Sequence, residues 1–303
     1  MKAITFDRFG DPGVLQLSEV DVPEPGQGQV RVKVHTAGVN PVDGKIRSGA
    51  MQAVFPTTLP STPGLDVAGV VDAVGEGVTG LTVGQEVVGW ADSGSYAEYA
   101  LATVVAAKPA GLGWEDAATL PVAGETARRV LRVLEVGAGD TLLIHGAAGA
   151  VGSLAAQLAV ALGATVIGTA SAANHDYVAS LGATPVEYGD GLVDRVRALA
   201  PKGIDAVFDA AGRGALPDSI TLRGGTDRIV TIADPAAQEL GITFSGGGDD
   251  RSRGEDLAEV VERAARGELR VRIGAVYPLA DAAEAHRVSD GGHAPGKLVL
   301  TVA

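Results

Sequence analysis

Between Leu143 and Gly152 the chain reads Leu-Ile-His-Gly-Ala-Ala-Gly-Ala-Val-Gly. An apolar run ends there, small residues follow at fixed spacing, and an Ala- and Leu-rich stretch begins. The pattern is A-x-G-x-x-G, with Ala147 where the first glycine of a dinucleotide fingerprint stands. Gly149 admits a pyrophosphate against bare backbone, and Gly152 lets a helix pack closely on a strand. A helix starting near Ala150 and Val151 offers unpaired N–H groups and the positive end of its dipole to phosphate oxygens. Gly146 and Ala147 form the turn that leads into it. The segment reads as a phosphate cradle between a buried strand and a helix, a structural glycine turn being the alternative.

The following strand bears on which dinucleotide fits. An NAD site places Asp or Glu about 20 residues on, to hold the ribose hydroxyls. Here Thr-Val-Ile-Gly-Thr-Ala-Ser (165–171) ends on Ser171, and no carboxylate appears until Asp176. Without that charge a 2′-phosphate is admissible. Ser171, Asn174, His175 and, after a third strand, Tyr188 are the donors expected to meet it. No Arg stands among them, and an ordinary exposed helix position is the alternative for His175. The cofactor expected is NADPH.

These residues need elements to hold them. The chain has 303 residues, which at about 150 per domain predicts two domains. Residues 1–115 are read as the first, a compact barrel-like β domain. Its short β-branched runs (LQLSEVDVP, QVRVKVHTAGV, VAGVVDAVG, EVVGWAD, GSYAEYALA) are separated by Gly, Pro and Asp. From Trp114 the texture changes. Apolar strands (TLLIHGA, TVIGTA, PVEY, AVFDAAG, RIVTIA, ITFSGG) alternate with helical stretches, which predicts a doubly wound parallel sheet covered on both faces. Residues 116–265 are assigned to this second domain, including most of an amphipathic helix at 254–267. Residues 266–303 are expected to return to the first domain, their last strand rejoining its sheet. The fold class is α/β.

Composition removes several function classes. The chain has no Cys, so disulfides, Cys-ligated zinc, a Cys nucleophile and iron–sulfur clusters are excluded. Net charge is −13 and no Lys/Arg cluster appears, which argues against nucleic acid. No apolar run approaches the ~18 residues of a spanning helix, and the first residues lack a signal-peptide pattern. A cytoplasmic location without membrane partners is the expectation. The five histidines show no metal-ligand spacing, and His35 and His145 sit in apolar strand contexts.

Several ordered motifs, covering essentially the whole chain, resemble the medium-chain dehydrogenase/reductase superfamily in its quinone oxidoreductase, zeta-crystallin-like branch. They are AGVNPVDGKIRSG (37–49), PGLDVAGVVDAVGEGVTGLTVGQEVVG (63–89), GSYAEYALA, LPVAGETA, HGAAGAVG, FDAAG and GKLVL. The resemblance implies a GroES-like β-barrel domain interrupted by a Rossmann domain, a cofactor lying across the cleft between them, and a homodimer. Zinc alcohol dehydrogenases of this superfamily carry a Gly-His-Glu-x-x-Gly motif. Here the stretch is Gly64-Leu65-Asp66-Val67-Ala68-Gly69, so the His ligand is replaced by Leu65. No metal is expected.

Without a metal such a site suits acceptors that are already electrophilic. The expected activity is hydride transfer from NADPH to a quinone, or to the C=C bond of an α,β-unsaturated carbonyl compound. By resemblance Asn40 lies near the nicotinamide ribose or the substrate oxygen, simple Asn-Pro turn chemistry being the alternative. Lys45 stands where many quinone oxidoreductases have Tyr, and this version resembles plant-type enone and alkenal reductases. Its ammonium can hold a carbonyl oxygen as enolate charge develops, bind the cofactor, or simply be solvated. Asp43 is expected to orient it through a short ion pair.

Thr126 resembles the family's cofactor contact at the start of the helix joining the domains. Ile232, Ala233, Phe244, Ser245 and Gly246 fall at later strand ends, where such sheets bind ligands. Lys297 is a weaker cofactor candidate. Met51, Phe55 and Trp90 are candidate pocket walls, with core packing as the alternative. Two other functions remain open: a stand-alone enoyl-thioester reductase, and a non-catalytic NADPH-binding protein of crystallin or RNA-binding type.

Overall fold

The computed structural model describes residues 1–247, 250–292, 294 and 296–302. Two compact units are present: Met1–Val122 with Asp250–Ala303, and Ala123–Asp249. Along the first segment run β1 (Lys2–Thr5), β2 (Gln16–Glu19), β3 (Val30–Val39), α1 (Pro41–Arg47), β4 (Asp66–Val74), β5 (Glu86–Trp90), β6 (Tyr99–Ala102), β7 (Val105–Ala107), α2 (Trp114–Ala117) and the start of α3 (Pro121–Val133). The middle segment holds β8 (Thr141–His145), α4 (Ala150–Ala161), β9 (Thr165–Ala170), α5 (His175–Ser180), β10 (Thr184–Glu187), α6 (Leu192–Leu199), β11 (Ala206–Asp209), α7 (Leu216–Arg223), β12 (Ile229–Thr231) and β13 (Thr243–Phe244). The chain returns through α8 (Asp250–Ala265), β14 (Ile273–Pro278), α9 (Ala282–Asp290) and β15 (Lys297–Thr301).

In the first unit the main sheet has the order β14-β15-β3-β4-β5-β7, with β6 also paired to β3. Its long strand β3 is ten residues, pairs with β4, β6 and β15, and alternates buried valines with more exposed residues over its first half. That alternation is the period-two signature of a half-buried strand. Val30, Val32, Val34, Val67, Val71 and Val87 form one core. Ile4, Phe6, Tyr96, Leu279, Leu298 and Leu300 belong to a second. The last strand, β15, runs antiparallel to β3.

The second unit is an all-parallel sheet in the order β10-β9-β8-β11-β12-β13. Numbered within the unit this is 3-2-1-4-5-6, the order whose switch point lies beside its first strand. β8 and β11 are almost wholly buried runs, as strands covered on both faces should be.

The seams differ from the sequence expectation of 115/116 and 265/266. The chain leaves the first unit after Val122, and the return begins at Asp250. Helix α8 therefore belongs to the first unit, where it packs on β7. Its amphipathic pattern marks an apolar face but carries no information about which sheet that face covers.

Close approach between the start of α4 and the preceding loop depends on Gly152. A Cβ there would sit 2.2 Å from the Gly146 carbonyl oxygen and 2.9 Å from Ala147 Cα, both backbone atoms. Gly152→Ala must push α4 off its loop, and it is expected to lower stability by roughly 1–3 kcal/mol. Urea unfolding of the two proteins checks this.

Candidate active site

The cradle in the second unit is built from β8 outward. Gly146 has φ +77° and its N–H donates to Thr169 Oγ1 at 3.1 Å. His145, the last residue of β8, is buried. Its Nε2 lies 3.0 Å from Ser219 Oγ, whose own proton goes to the Ala215 carbonyl, so Nε2 is the protonated nitrogen. Burial lowers its pKa, consistent with a neutral ring. His145 is thus a buried residue tied to Ser219 of α7.

Ala147, the departure from the glycine fingerprint, is buried and its methyl faces β9. A Cβ on Gly168 would come within 2.5 Å of that methyl. The missing glycine at 147 is compensated by a glycine across the sheet. Helix α4 then begins with Gly149 as its N-cap, which supplies no capping side chain. Gly149 is exposed, and Ala150 and Val151 are half-buried. The first-turn N–H groups are left for an outside acceptor, which is the chemistry of a pyrophosphate site. The residues present fit a dinucleotide.

At the end of β9, Ser171 is half-buried and accepts from Asn174 Nδ2 at 3.1 Å. Tyr188 is exposed on the loop after β10. His175 differs from expectation: its Nε2 is buried without a hydrogen-bond partner, so this nitrogen does not face outward as a phosphate donor would. Position 175 opens α5 and is half-buried. Sequence reasoning missed Arg195. Its guanidinium donates to the carbonyls of Glu187, Tyr188, Gly189 and Asp190 and so shapes the loop bearing Tyr188.

The remaining loops meet at the carboxyl edge of the sheet. Asp209 Oδ1 accepts from Ala211 and Gly212 N–H groups, and Oδ2 accepts from Thr231 Oγ1. Thr231 in turn accepts from the N–H groups of Ala233 and Asp234. Ile232 and Ala233 are half-buried there. Phe244 and Gly246 are exposed, and Ser245 Oγ accepts from Arg129. Arg129 also holds the Glu125 carboxylate at 2.6 Å and reaches Thr126 Oγ1 at 3.5 Å. Thr126 itself is largely buried, at 8% exposure.

In the first unit, Asn40 is the extended N-cap of α1 and Pro41 follows at the first helical position. Both polar atoms of its side chain have partners. Nδ2 donates to Asp66 Oδ2 at 2.9 Å, and Oδ1 accepts from Lys297 Nζ at 2.5 Å. Lys297 also binds Asp66 at 2.7 Å, both side chains being nearly inaccessible. Lys297 therefore belongs to this buried triad within the first unit. Asp43 does not pair with Lys45. Its Oδ2 accepts from the Asn40 N–H at 2.8 Å and from Tyr96 Oη at 3.2 Å. Residues two apart on a helix do not share a face, so Asp43 is buried while Lys45 is exposed.

Met51 is half-buried and Phe55 partly exposed, on a turn closed by the Phe55 N–H to the Met51 carbonyl. Trp90 is buried, with the Arg253 guanidinium 4.3 Å from its ring centroid. Among the described residues no three His, Asp or Glu side chains cluster as metal ligands would.

A mainly antiparallel sheet unit that encloses a 3-2-1-4-5-6 nucleotide-type sheet in sequence defines the medium-chain dehydrogenase/reductase class. Comparison with known proteins agrees. Residues 26–113 match the alcohol dehydrogenase GroES-like domain, and 181–300 match the zinc-binding dehydrogenase domain. Quinone oxidoreductase of Sus scrofa is 36% identical over 99% of this chain and 97% of its own. An NADPH-dependent alkenal/one oxidoreductase of Arabidopsis thaliana is 34% identical over 99% of this chain and 79% of its own. The structure of Escherichia coli quinone oxidoreductase complexed with NADPH superposes with TM-score 0.88 at 28% identity, covering 100% of both chains. The chain belongs to the quinone oxidoreductase branch of the medium-chain dehydrogenase/reductase superfamily, in which its Cys-free sequence and Leu65 fit the zinc-free members.

Burial raises the Asp43 carboxyl from 3.8 to about 7. The folded protein then holds a proton between these values that the unfolded chain has lost. The stability this group contributes is complete below about pH 4 and is lost as pH rises to 7. His286 acts in the opposite sense. Burial, with Arg47 second, lowers its pKa from 6.5 to about 4, so its contribution grows with pH over that window. Asp43→Asn isolates the first effect. The stability of wild type relative to this variant is expected to fall between pH 4 and 7 by up to ~1.4 kcal/mol per pH unit. Urea midpoints across that range test it, and parallel curves would contradict it.

Proposed function

We propose that this protein is a zinc-independent, NADPH-dependent reductase acting on quinones or on the C=C bond of α,β-unsaturated carbonyl compounds. One observation carries the reading. An uncapped, glycine-lined start of α4 stands beside a β9 that is followed directly by Ser171 instead of a carboxylate. Full-length similarity to quinone and alkenal/one oxidoreductases supports it. Bound NADPH supplies the hydride.

The chain's own residues bind and orient. Gly146, Ala147 and Gly149 shape the cradle, and the N–H groups of Ala150 and Val151 hold the pyrophosphate. Ser171 and Asn174, with Tyr188 beside them, take the 2′-phosphate. Thr126, Ile232, Ala233, Phe244, Ser245 and Gly246 border the cofactor at the carboxyl edge. Lys45, exposed on α1, offers its ammonium to the acceptor oxygen as negative charge develops there. Asn40 and Asp43 position α1, and Met51 and Phe55 border the acceptor.

The reading includes a small-molecule acceptor, a homodimer and a cytoplasmic location. Among the described residues no helix is long and apolar enough to cross a membrane. An acyl-thioester reductase would need a basic landing patch, and an RNA-binding role sits badly with a net charge of −13.

The direct test is oxidation of NADPH and NADH, in parallel, with one quinone and one short-chain enone. Turnover with NADPH is expected. Lys45→Ala should lower kcat for the enone by about tenfold or more, with little change in NADPH affinity. Collapse of NADPH binding alone would make Lys45 a cofactor residue.

Ser171→Asp tests the cofactor choice. A carboxylate at this position repels a 2′-phosphate and suits ribose hydroxyls. The KM for NADPH should rise about tenfold or more, and that for NADH should fall or hold. Unchanged preference would move the 2′-phosphate away from Ser171.

A further inference from the structure

Helix α1 has an unusual buried face. Asn40, Asp43, Gly44 and Arg47 fall at helical spacing on its inward side, and all are buried. A polar face can be buried only against matched partners. Gly44 makes room for one of them, since a Cβ there would lie 2.6 Å from Asp290 Oδ1. Arg47 Nη2 donates to Asp290 Oδ2 at 2.7 Å, and its Nη1 lies 2.8 Å from His286 Nδ1. His286 Nε2 is 3.2 Å from Tyr96 Oη, and Tyr96 Oη is 3.2 Å from Asp43 Oδ2.

The direction of every bond in this chain is determined. A guanidinium has no acceptor, so Arg47 donates and His286 Nδ1 accepts. The imidazole proton is then on Nε2 and is donated to Tyr96, and the phenol proton passes on to Asp43. Arg47 does not deprotonate, so the chain cannot conduct a proton from end to end. What it can do is fix geometry: it joins both ends of α1's inward face to α9 and to the buried Tyr96. The charged and titratable groups facing the imidazole are Arg47 from α1, Asp290 from its own helix, and Tyr96.

We propose that His286 is a positioning residue for the reductase site. Held as the Nε2–H tautomer by Arg47, it orients Tyr96 and through it Asp43, so that α1 presents Lys45 in one orientation. The link to catalysis rests on the reading of Lys45 given above; the link to α1 does not.

The test compares full-length wild type, His286→Gln and His286→Phe. Gln keeps a donor near the Nε2 position, whereas Phe fills the space and removes both contacts. Hydrogen exchange of the α1 amides is measured together with steady-state kinetics at saturating NADPH. In His286→Phe, α1 amides should exchange about tenfold faster or more, with β8–β12 unchanged. The kcat for the enone should drop about tenfold or more with the NADPH KM held, as loss of orientation alone can do. His286→Gln should recover most of both. Nitrogen NMR of the wild type should find Nδ1 unprotonated. Unchanged α1 exchange in the Phe variant, equal behaviour of Gln and Phe, or a protonated Nδ1 overturns the proposal. Loosened α1 with unaltered kinetics also overturns it as a positioning role. Absence of wild-type turnover with any acceptor would instead defeat the reductase reading, leaving the exchange result to decide the α1 link.

Discussion

One carboxylate organises the first unit. Asp66 is inaccessible to solvent and receives three donors: Lys297 Nζ, Asn40 Nδ2 and the Val122 N–H. These come from β15, from the cap of α1 and from the first turn of α3, residues distant in sequence that meet at the start of β4. Gly38 on β3 is the reason there is room, because a Cβ there would fall 2.6 Å from Asp66 Oδ2 and 2.4 Å from the Ala118 carbonyl oxygen. Breaking such a buried pair by deleting one partner leaves an uncompensated charge, typically at a cost of about 3–5 kcal/mol. The triad is thus less a source of net stability than a constraint. It permits one placement of the C-terminal strand, one entry to α1 and one start of α3.

The second constraint follows from the first. Once Asn40 is committed to Asp66 and Lys297, one of its amide protons and one lone pair of its oxygen are taken up within the first unit. The chemistry of α1 is divided by helical geometry. Residues 40, 43, 44 and 47 turn inward to a hydrogen-bonded network, and Lys45 turns out. A buried polar face is permissible because each inward group meets a partner of the right sign: Asp66 and Lys297 for Asn40, Tyr96 for Asp43, His286 and Asp290 for Arg47. One oxygen, Asp43 Oδ1, has no partner. Burial, with the nearby Asp66 charge adding to it, holds the proton on this carboxyl to about pH 7 despite a backbone donor on its other oxygen.

Much of this could be read from local pattern. Period-two valines in β3 and continuous apolar runs in β8 and β11 declare their sheets. The small residues from Gly146 to Gly152 declare the turn between β8 and α4. Local pattern also held a signal that went unused. Asn40, Pro41 and Asp43 form the N-cap, first-position proline and third-position carboxylate of a helix start, yet the segment reads at first as a bare Asn-Pro turn. Long-range pairings were not legible. Nothing near Lys297 indicates Asp66, 231 positions earlier, and nothing near His286 indicates Arg47 or Tyr96. Helix α8 shows the same limit, since amphipathicity identifies a face without naming its partner.

Ala147 shows why a departure from a motif must be weighed against the whole sheet. Taken locally, a methyl in place of the first glycine narrows the turn. In three dimensions the methyl points beneath the loop, where Gly168 on β9 leaves the space it occupies. The surface presented above, from Gly149 through the first N–H groups of α4, remains bare backbone. The function of the fingerprint depends on that outward surface and on the tight Gly146–Gly152 contact, and both are retained. What the substitution moves is the site of the required glycine, from the turn to the neighbouring strand. A fingerprint is therefore a statement about where backbones must approach one another, and two different residues can satisfy the same approach.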